Sequence, residues 1–581
     1  MTDDVAHTRR HGWIGWTIAG VVVLVVFCLG WVAIRGLGAT AALSSAARTT
    51  GEVRDLVSAG SPEGLATATK RIAADTANAR VLTSDPIWRA VEVVPWLGAN
   101  LTALREVSAS ADLLAQDAAP LLNEAASVAN LSTMGLARTR LEVAPLAGVA
   151  TQLERAARVA ARAERGIRDV RPDALLPPLQ GPVGAMRDQI RTVAQATGRL
   201  AVAAQVLPSF VGSQTPRHVL VVVQNNAQLR SSGGTPLAFA LLRVSRGTVA
   251  LAKISGYGAI AAFPSPVAPV SPLTGALFGD APGLRVQDAL SAPEFPEAAA
   301  LLSRMWTARA GDRVDAVVAL DAVALARLLS ATGPITAGGV EMTDENAVSV
   351  LLGGTADHAT PASAANVVAA ASQVFAAFAG GTAEPRRTLA ALVAAGDEGR
   401  VRAWFADPAA QEVLARTTLA GTLPIDQAGD VHVAVLANAA EPGWLGAYAD
   451  ASVSAQLGSC GPDGRTVLRL SVEWTNTLAP DAAAELPASV LGGSEPPGLQ
   501  RTRLALIGPR GWTADAVADA TVAAEDDRRA VRQFDVDTEP GTSQRVTVDF
   551  TAPDGSRPRL VTIVTPMIGA TPVAVGDLSC G

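Results

Sequence analysis

The spacing of hydrophobic and polar positions changes character three times along this chain, and each change marks a different kind of element. From Gly12 to Ile34 there is no charged residue, and Ile18 to Ile34 is almost wholly apolar. Such a run predicts a helix able to cross a hydrocarbon layer of roughly 30 Å, an uncleaved anchor, with a signal peptide cleaved near Ala39-Thr40-Ala41 as the alternative. Beyond it, apolar residues recur at steps of three and four. One stripe is Val107, Ala111, Leu114, Ala118, Leu121, Ala125 and Val128; a second is Leu153, Ala156, Ala160, Ala163, Ile167 and Val170. A third is Met186, Ile190, Val193, Thr197, Leu200, Ala204 and Leu207. Narrow apolar faces of this kind must pack on one another, which predicts an antiparallel helical bundle or stalk. Pro120 should bend or break the first of these helices, and Pro86, Pro95 and the stretch Arg171 to Pro182 should separate segments.

From about Pro216 the pattern is that of an α/β unit. His218 to Val223 and Leu237 to Leu242 read as buried strands, and Thr248 to Ile254 as a hairpin partner after the turn Arg246-Gly247. The Pro- and Gly-rich stretch Phe263 to Leu284 predicts a long surface loop, a lid or a mouth. Ala316 to Leu320 reads as a short buried strand, with Asp321 capping the helix that follows and Gly333 ending it. Thr343, Asp344 and Glu345 should open another helix, and Ala-rich helices should fill Ala365 to Ala379 and Arg386 to Ala395. Val431 to Ala437 reads as a returning strand of the same sheet. After Glu441 apolar and polar residues alternate, as in Val467 to Trp474, Arg501 to Leu506 and Arg545 to Phe550, which predicts a small β-sandwich. The expected division is therefore a tail over 1–11, a transmembrane helix over 12–34, a helical bundle or stalk over 35–207, an α/β core with a mixed sheet over 208–440 and a β-sandwich over 441–581.

Composition narrows the function classes. Apolar residues make up 49% and aromatic residues 4%, so the cores must be built largely from Ala, Val and Leu. A net charge of -7 argues against nonspecific nucleic-acid binding, which needs a basic face. Of 47 basic residues only Lys70 and Lys253 are lysines, so Arg abundance alone carries no functional meaning. Arg155, Arg158, Arg162, Arg165 and Arg168 line one helix face, but Glu154, Glu164 and Asp169 stand among them, as on a solvated surface. The three cysteines, Cys28, Cys460 and Cys580, form no C-x-x-C pair and the five histidines no zinc motif, so no cofactor is expected. P-loop, dinucleotide and nucleophile-elbow patterns are also missing.

The candidate chemistry lies in the polar loop Gln224 to Gly234. Asn225, Asn226, Arg230 and the Gly233-Gly234 backbone can surround an anion with donors, and a planar guanidinium fork matches phosphate geometry. A structural reading stands beside it: amides closing a turn, and an Arg paired with an internal acid. Asp315 and Asp321 are weak metal candidates, more simply explained as a strand-edge acid and a helix cap.

The stretch Val219 to Asn226, then Leu229-Arg230 and Gly233-Gly234, resembles a family of membrane-anchored extracytoplasmic proteins of unknown function, typical of actinobacteria. The same region, with Val314 to Asp321, Leu325 to Leu329 and Gly333-Pro334-Ile335, more loosely resembles the LytR-CpsA-Psr fold. Members of that fold transfer glycopolymers from a polyprenyl pyrophosphate carrier to the cell wall, which implies an Arg and a divalent metal such as Mg at the site. Only Arg230 carries over: Ser231-Ser232-Gly233 stands where that family has an acid, Lys253 to Tyr257 where it has a further Arg, and Ala362 to Ala379 lacks its paired arginines. The resemblance implies an envelope protein that binds or scaffolds a lipid-linked or wall glycopolymer at the Arg230 loop; a phosphotransferase is the alternative. The expected placement is the plasma membrane, single-pass, with a cytoplasmic N-terminus because Arg9 and Arg10 precede the span. Cys460 and Cys580, the only cysteines outside the span, are expected to form a disulfide in an oxidising compartment.

Overall fold

A computed structural model describes residues 9–59, 62–95, 97–129, 136–137, 140–141, 144–172, 175–353, 364–380, 383, 385–423, 430–555 and 558–580. It divides into two compact units, residues 1–129 with 148–204, and residues 130–147 with 205–581.

The first unit is helical. Its first helix, α1 (Arg9–Ala59), is uninterrupted, and residues Val22–Glu52 within it are long and apolar enough to cross a membrane. Val22, Val23, Leu24 and Val26 are exposed, while Ala39, Leu43 and Ala46 are fully buried. Those three share a core with Leu104, Val107, Ile167 and Ile190. The helix thus runs directly from an apolar span into the bundle, and residue 34 is not a helix end. There follow α2 (Pro62–Thr83), α3 (Pro86–Val91), α4 (Leu97–Leu113), α5 (Ala119–Ala129), α6 (Ala144–Gly166) and α7 (Pro177–Val211). Pro86 stands in the first turn of α3, where its missing N–H costs nothing, and Asp85 caps the Trp88 N–H. Pro120 does not break its helix: Leu114–Ala118 widens into a π-turn, which accommodates a residue that lacks an N–H and crowds the preceding turn. The helical spacing is matched by burial, since Val107, Ala111, Leu114, Ala118 and Ala125 are buried, as are all six residues of the second stripe. The third stripe departs at Leu200, which is exposed. Arg155, Arg158, Arg162 and Arg165 face outward, and Arg158 pairs with Glu154.

The second unit opens with β1 (Leu136–Ala137), β2 (Arg140–Leu141), β3 (Arg217–Asn225), β4 (Thr235–Ser245) and β5 (Thr248–Gly256). Next come α8 (Pro272–Phe278), α9 (Ala281–Leu284), α10 (Phe295–Ala310), β6 (Ala316–Asp321) and α11 (Ala322–Thr332). A small hairpin of β7 (Ile335–Ala337) and β8 (Val340–Met342) precedes α12 (Ala347–Leu352), α13 (Ala364–Gly380), α14 (Pro385–Asp397), β9 (Val401–Phe405) and α15 (Pro408–Leu414). Seven strands form one mixed sheet in the order β1-β2-β5-β4-β3-β6-β9, with β3 parallel to β6 and the other pairs antiparallel. Leu220, Phe239 and Leu241 face α10 on one side. Val223, Leu237 and Ala238 face α11, α12 and α13 on the other, giving three layers. Asp321 caps α11 through the Ala324 N–H and Gly333 closes it at φ 79°. The helix expected to open at Thr343 begins instead after Asn346.

The remaining strands are β10 (Asp430–Ala439), β11 (Ala449–Gly458), β12 (Val467–Asn476), then, after the short α16 (Ala488–Leu491), β13 (Gln500–Arg510), β14 (Thr513–Ala514), β15 (Val522–Asp526), β16 (Arg529–Thr538), β17 (Ser543–Thr551), β18 (Arg559–Val564) and β19 (Val573–Asp577). They build two five-stranded sheets, β15-β16-β13-β10-β18 and β14-β17-β12-β11-β19, over a core of Trp474, Leu504, Phe534 and Phe550. Two expectations are corrected here. Val431 to Ala437 belongs to the sandwich, not to the α/β sheet. Val433, Val435 and Ala437 enter the sandwich core, while Ala434 and Leu436 pack on Leu273 and Leu277 of α8, so the strand is buried on both faces. The expected loop Phe263 to Leu284 is a loop only as far as Ser271: Pro272 to Leu284 folds into α8 and α9, and α8 packs against the sandwich. A disulfide joins Cys460 to Cys580 across 120 residues, and Cys28 is a free thiol.

Candidate functional site

The loop between β3 and β4 doubles back so tightly that a Cβ at Gly234 would lie 1.8 Å from the Asn225 carbonyl oxygen, and Gly233 has φ 129°. Only glycine tolerates either condition. Asn225 accepts the Ala227 N–H at 2.9 Å, closing the turn. Asn225, Asn226, Ser231 and Ser232 are buried, and Arg230 is 6% exposed. Arg230 donates from all three nitrogens to internal acceptors: Nε to Gln287 O at 3.0 Å, Nη1 to Leu229 O at 2.8 Å and Ala439 O at 3.1 Å, and Nη2 to Asp288 Oδ1 at 3.0 Å. Burial pushes its pKa down and Asp288 pushes it back up. Around it, Ser231 N–H donates to Asn438 Oδ1 at 3.0 Å, Ser231 Oγ to Ser291 O at 2.8 Å and Thr565 Oγ1 to Ser231 O at 3.2 Å. Leu229 sits in the sandwich core. In this structure the segment is a plug that links the mixed sheet to the sandwich; of the expected anion cradle of Arg230, Asn225, Asn226, Gly233 and Gly234, the Arg230 donors are engaged internally and Asn226 Nδ2 is held by Asp321 and the Pro566 carbonyl, while Asn225 Nδ2 has no partner among the described residues.

The two candidate metal acids stand at opposite ends of β6, about 20 Å apart at strand rise, and cannot share one ion. Asp315 accepts the His218 N–H at 2.9 Å and lies near Arg217 and Arg313. Asp321 caps Ala324 N–H at 2.7 Å, and its other oxygen receives Arg400 Nη1 at 2.8 Å and Asn226 Nδ2 at 2.9 Å. Among the described residues no group of three or more His, Cys, Asp or Glu is arranged to hold a metal.

Two features escaped the sequence reading. Arg400 and Arg402, two residues apart at the start of β9, are both buried. Desolvation pushes the Arg402 pKa down to about 10, still charged at neutral pH. The only sequence signal was a pair of arginines at strand spacing. The second feature is a groove of about 750 Å³ on the outer face of the sheet β14-β17-β12-β11-β19. Its floor is a set of cross-strand pairs: Arg469 opposite Asp549, Ser471 opposite Thr547 and Glu473 opposite Arg545. Arg469 grips Asp549 with two bonds of 2.9 and 2.6 Å, Arg545 meets Glu473 at 3.1 Å, and the Ser471 and Thr547 hydroxyls are 2.9 Å apart. Ser452, Ser454 and Gln456 continue the floor, and Asp515, Val517, Pro572 and Ala574 complete the lining. Strand alternation puts these polar residues outward on one face of the sheet.

Residues 214–354 match a family described as a protein of unknown function (DUF4012). No curated protein and no solved structure matches the chain, so the LytR-CpsA-Psr likeness rests on the sequence alone.

Proposed function

We propose that this is a membrane-anchored envelope protein of binding function, held by α1 with its N-terminus cytoplasmic, and that its ligand is a hydroxyl-rich wall or lipid-linked glycopolymer seated in the groove on the sandwich. The groove carries the reading. Its floor alternates hydroxyls, an amide and internally matched ion pairs, which offers donors and acceptors in rows without a strong net field, and this suits a neutral polyol chain better than a nucleic acid or a phosphate. The apolar span of α1 and the Cys460–Cys580 disulfide support an extracytoplasmic placement, since such bonds persist in oxidising compartments. The Arg230 loop is not the binding surface in this reading, because the donors of Arg230 are spent internally.

The test is an array of wall polysaccharides and their oligosaccharides, probed with the full chain in detergent. Ser471→Trp fills the groove from an outward-facing position, and Arg469→Ala removes a planar donor; each should weaken binding at least tenfold, about 1.4 kcal/mol, with the melting temperature little changed. Binding by both variants at wild-type strength, or no binding by the wild type to any glycan, would overturn the proposal.

A further inference from the structure

Arg402 is 8% exposed, and Nε is buried with no hydrogen-bond partner. It makes no ion pair with any described residue. The carboxylate that acts on it electrostatically is Asp321. That carboxylate is already occupied by Arg400, Asn226 and the Ala324 N–H. The neighbouring Glu398 is taken by Arg327 and by Arg400 Nε. Three guanidiniums, those of Arg327, Arg400 and Arg402, therefore stand against two carboxylates, those of Asp321 and Glu398. Water can satisfy an N–H group but supplies no counter-charge, and a guanidinium does not escape by losing its proton. A buried polar group with no partner among the described residues is a place where a further group can bind.

The surroundings of the fork fit an incoming anion. Arg402 lies on β9 opposite Ala319. A Cβ at Gly421 would come within 2.5 Å of Nη1, and one at Gly399 would lie 3.7 Å from Nη2. Gly421, at φ 60°, brings its backbone against the guanidinium where a Cβ would clash with Nη1, and Gly399, at φ 69°, lies in ordinary contact distance of Nη2. We propose that Arg402 anchors a phosphate-class oxyanion between Gly399 and Gly421, with Arg400 adding positive potential from the same strand. The planar fork matches two phosphoryl oxygens, and the surplus positive charge matches a monoester or free phosphate. This site is distinct from the sandwich groove and uses none of its residues.

The full chain in detergent is melted and titrated calorimetrically with inorganic phosphate, at ionic strength held constant with chloride. Wild type should bind one phosphate per chain and melt higher in phosphate than in chloride. Arg402→Gln should weaken phosphate at least tenfold and abolish the difference between salts, and Ser471→Trp should change neither. Two further arms separate the sources: glycerol phosphate in solution, and nanodiscs carrying phosphatidic acid against phosphatidylcholine. Binding in the first identifies a soluble ester, and capture confined to phosphatidic acid identifies a lipid headgroup. Should Arg402→Gln not fold, Arg402→Lys keeps the charge without the fork and must still weaken phosphate at least threefold. Identical melting of wild type in both salts, with no arm sensitive to Arg402, overturns the proposal, as does a rise in the stability of Arg402→Gln over wild type in both salts.

Discussion

Arg230 shows how far a residue's chemistry is decided by what surrounds it. Arg230→Ala leaves four acceptors without their donor, three of them carbonyls, and strips Asp288 of a partner, although Arg285 still holds its other oxygen. Breaking a buried ion pair on one side typically costs about 3–5 kcal/mol, and that loss should appear in denaturant melts of the full chain. Arg230→Lys should recover only a fraction, since one ammonium cannot span acceptors placed around a planar fork. A melting midpoint unchanged in both variants would contradict the plug. Glu294 gives a pH-dependent counterpart. Burial first, then repulsion from Asp526 and Glu297, raises its pKa above the ordinary 4.5, against the Leu423 N–H that it accepts. The folded state therefore holds a proton that the unfolded chain releases, so this group's stabilising contribution is complete below 4.5 and is lost as pH rises through the folded pKa. Glu294→Gln retains an acceptor for Leu423, and its stability relative to wild type should climb over that window and then level off in melts taken from about pH 4 to about pH 8. A flat difference would refute it. The donor-rich loop was visible in sequence, but its occupancy was not: Gln287, Asn438, Ala439, Thr565 and Pro566, which consume its polar groups, lie far along the chain.

At the scale of elements, periodicity was the most transferable signal, because a helix or strand buried on one face must repeat its apolar positions whatever it packs against. The bundle stripes, the β3-β4-β5 meander and the alternating strands of the sandwich all follow from it. It gave no information about partners. A strand covered on both faces loses its alternation, and Val431 to Ala437 therefore resembles the buried strands of an α/β sheet although its second cover is α8. Likewise Pro and Gly in 263–284 read as loop, while Pro272 in the first turn of α8, behind the Ser271 cap, is a helix start. The disulfide acts at this scale, tying the chain just past β11 to that just past β19, the neighbouring parallel strand at the sheet edge. Closing 120 residues removes about 5 kcal/mol of unfolded-state freedom in the chain-entropy model. The variant with both Cys460→Ser and Cys580→Ser should lose about 2–5 kcal/mol, with amide exchange accelerating first in β19. Equal stability of reduced and oxidised protein would show that the bond does not constrain the fold.

For the whole molecule the governing contrast is between the two halves of α1. Val22, Val23, Leu24 and Val26 carry exposed apolar side chains, an unfavourable surface in water, whereas Val32, Ala39 and Leu43 are buried in helix packing. The transition is marked by Arg35, which leaves the apolar run to pair with Asp85 at 2.8 Å and to donate to the Leu82 carbonyl at 2.9 Å. Under the proposed anchoring, Arg9 and Arg10 before the span and the folded bundle after it predict that the bundle lies on the far side of the membrane from those two arginines. Fusions of a reporter active only in the cytoplasm and one active only outside it should therefore give opposite signals at Met1 and at Gly581. The Cys460–Cys580 bond provides an independent reading, because thiol labelling of intact cells should find both cysteines blocked until a reductant is added from outside. A C-terminal fusion active in the cytoplasm, together with two freely alkylated cysteines, would place the sandwich in a reducing compartment and remove the wall polymer from reach of its groove.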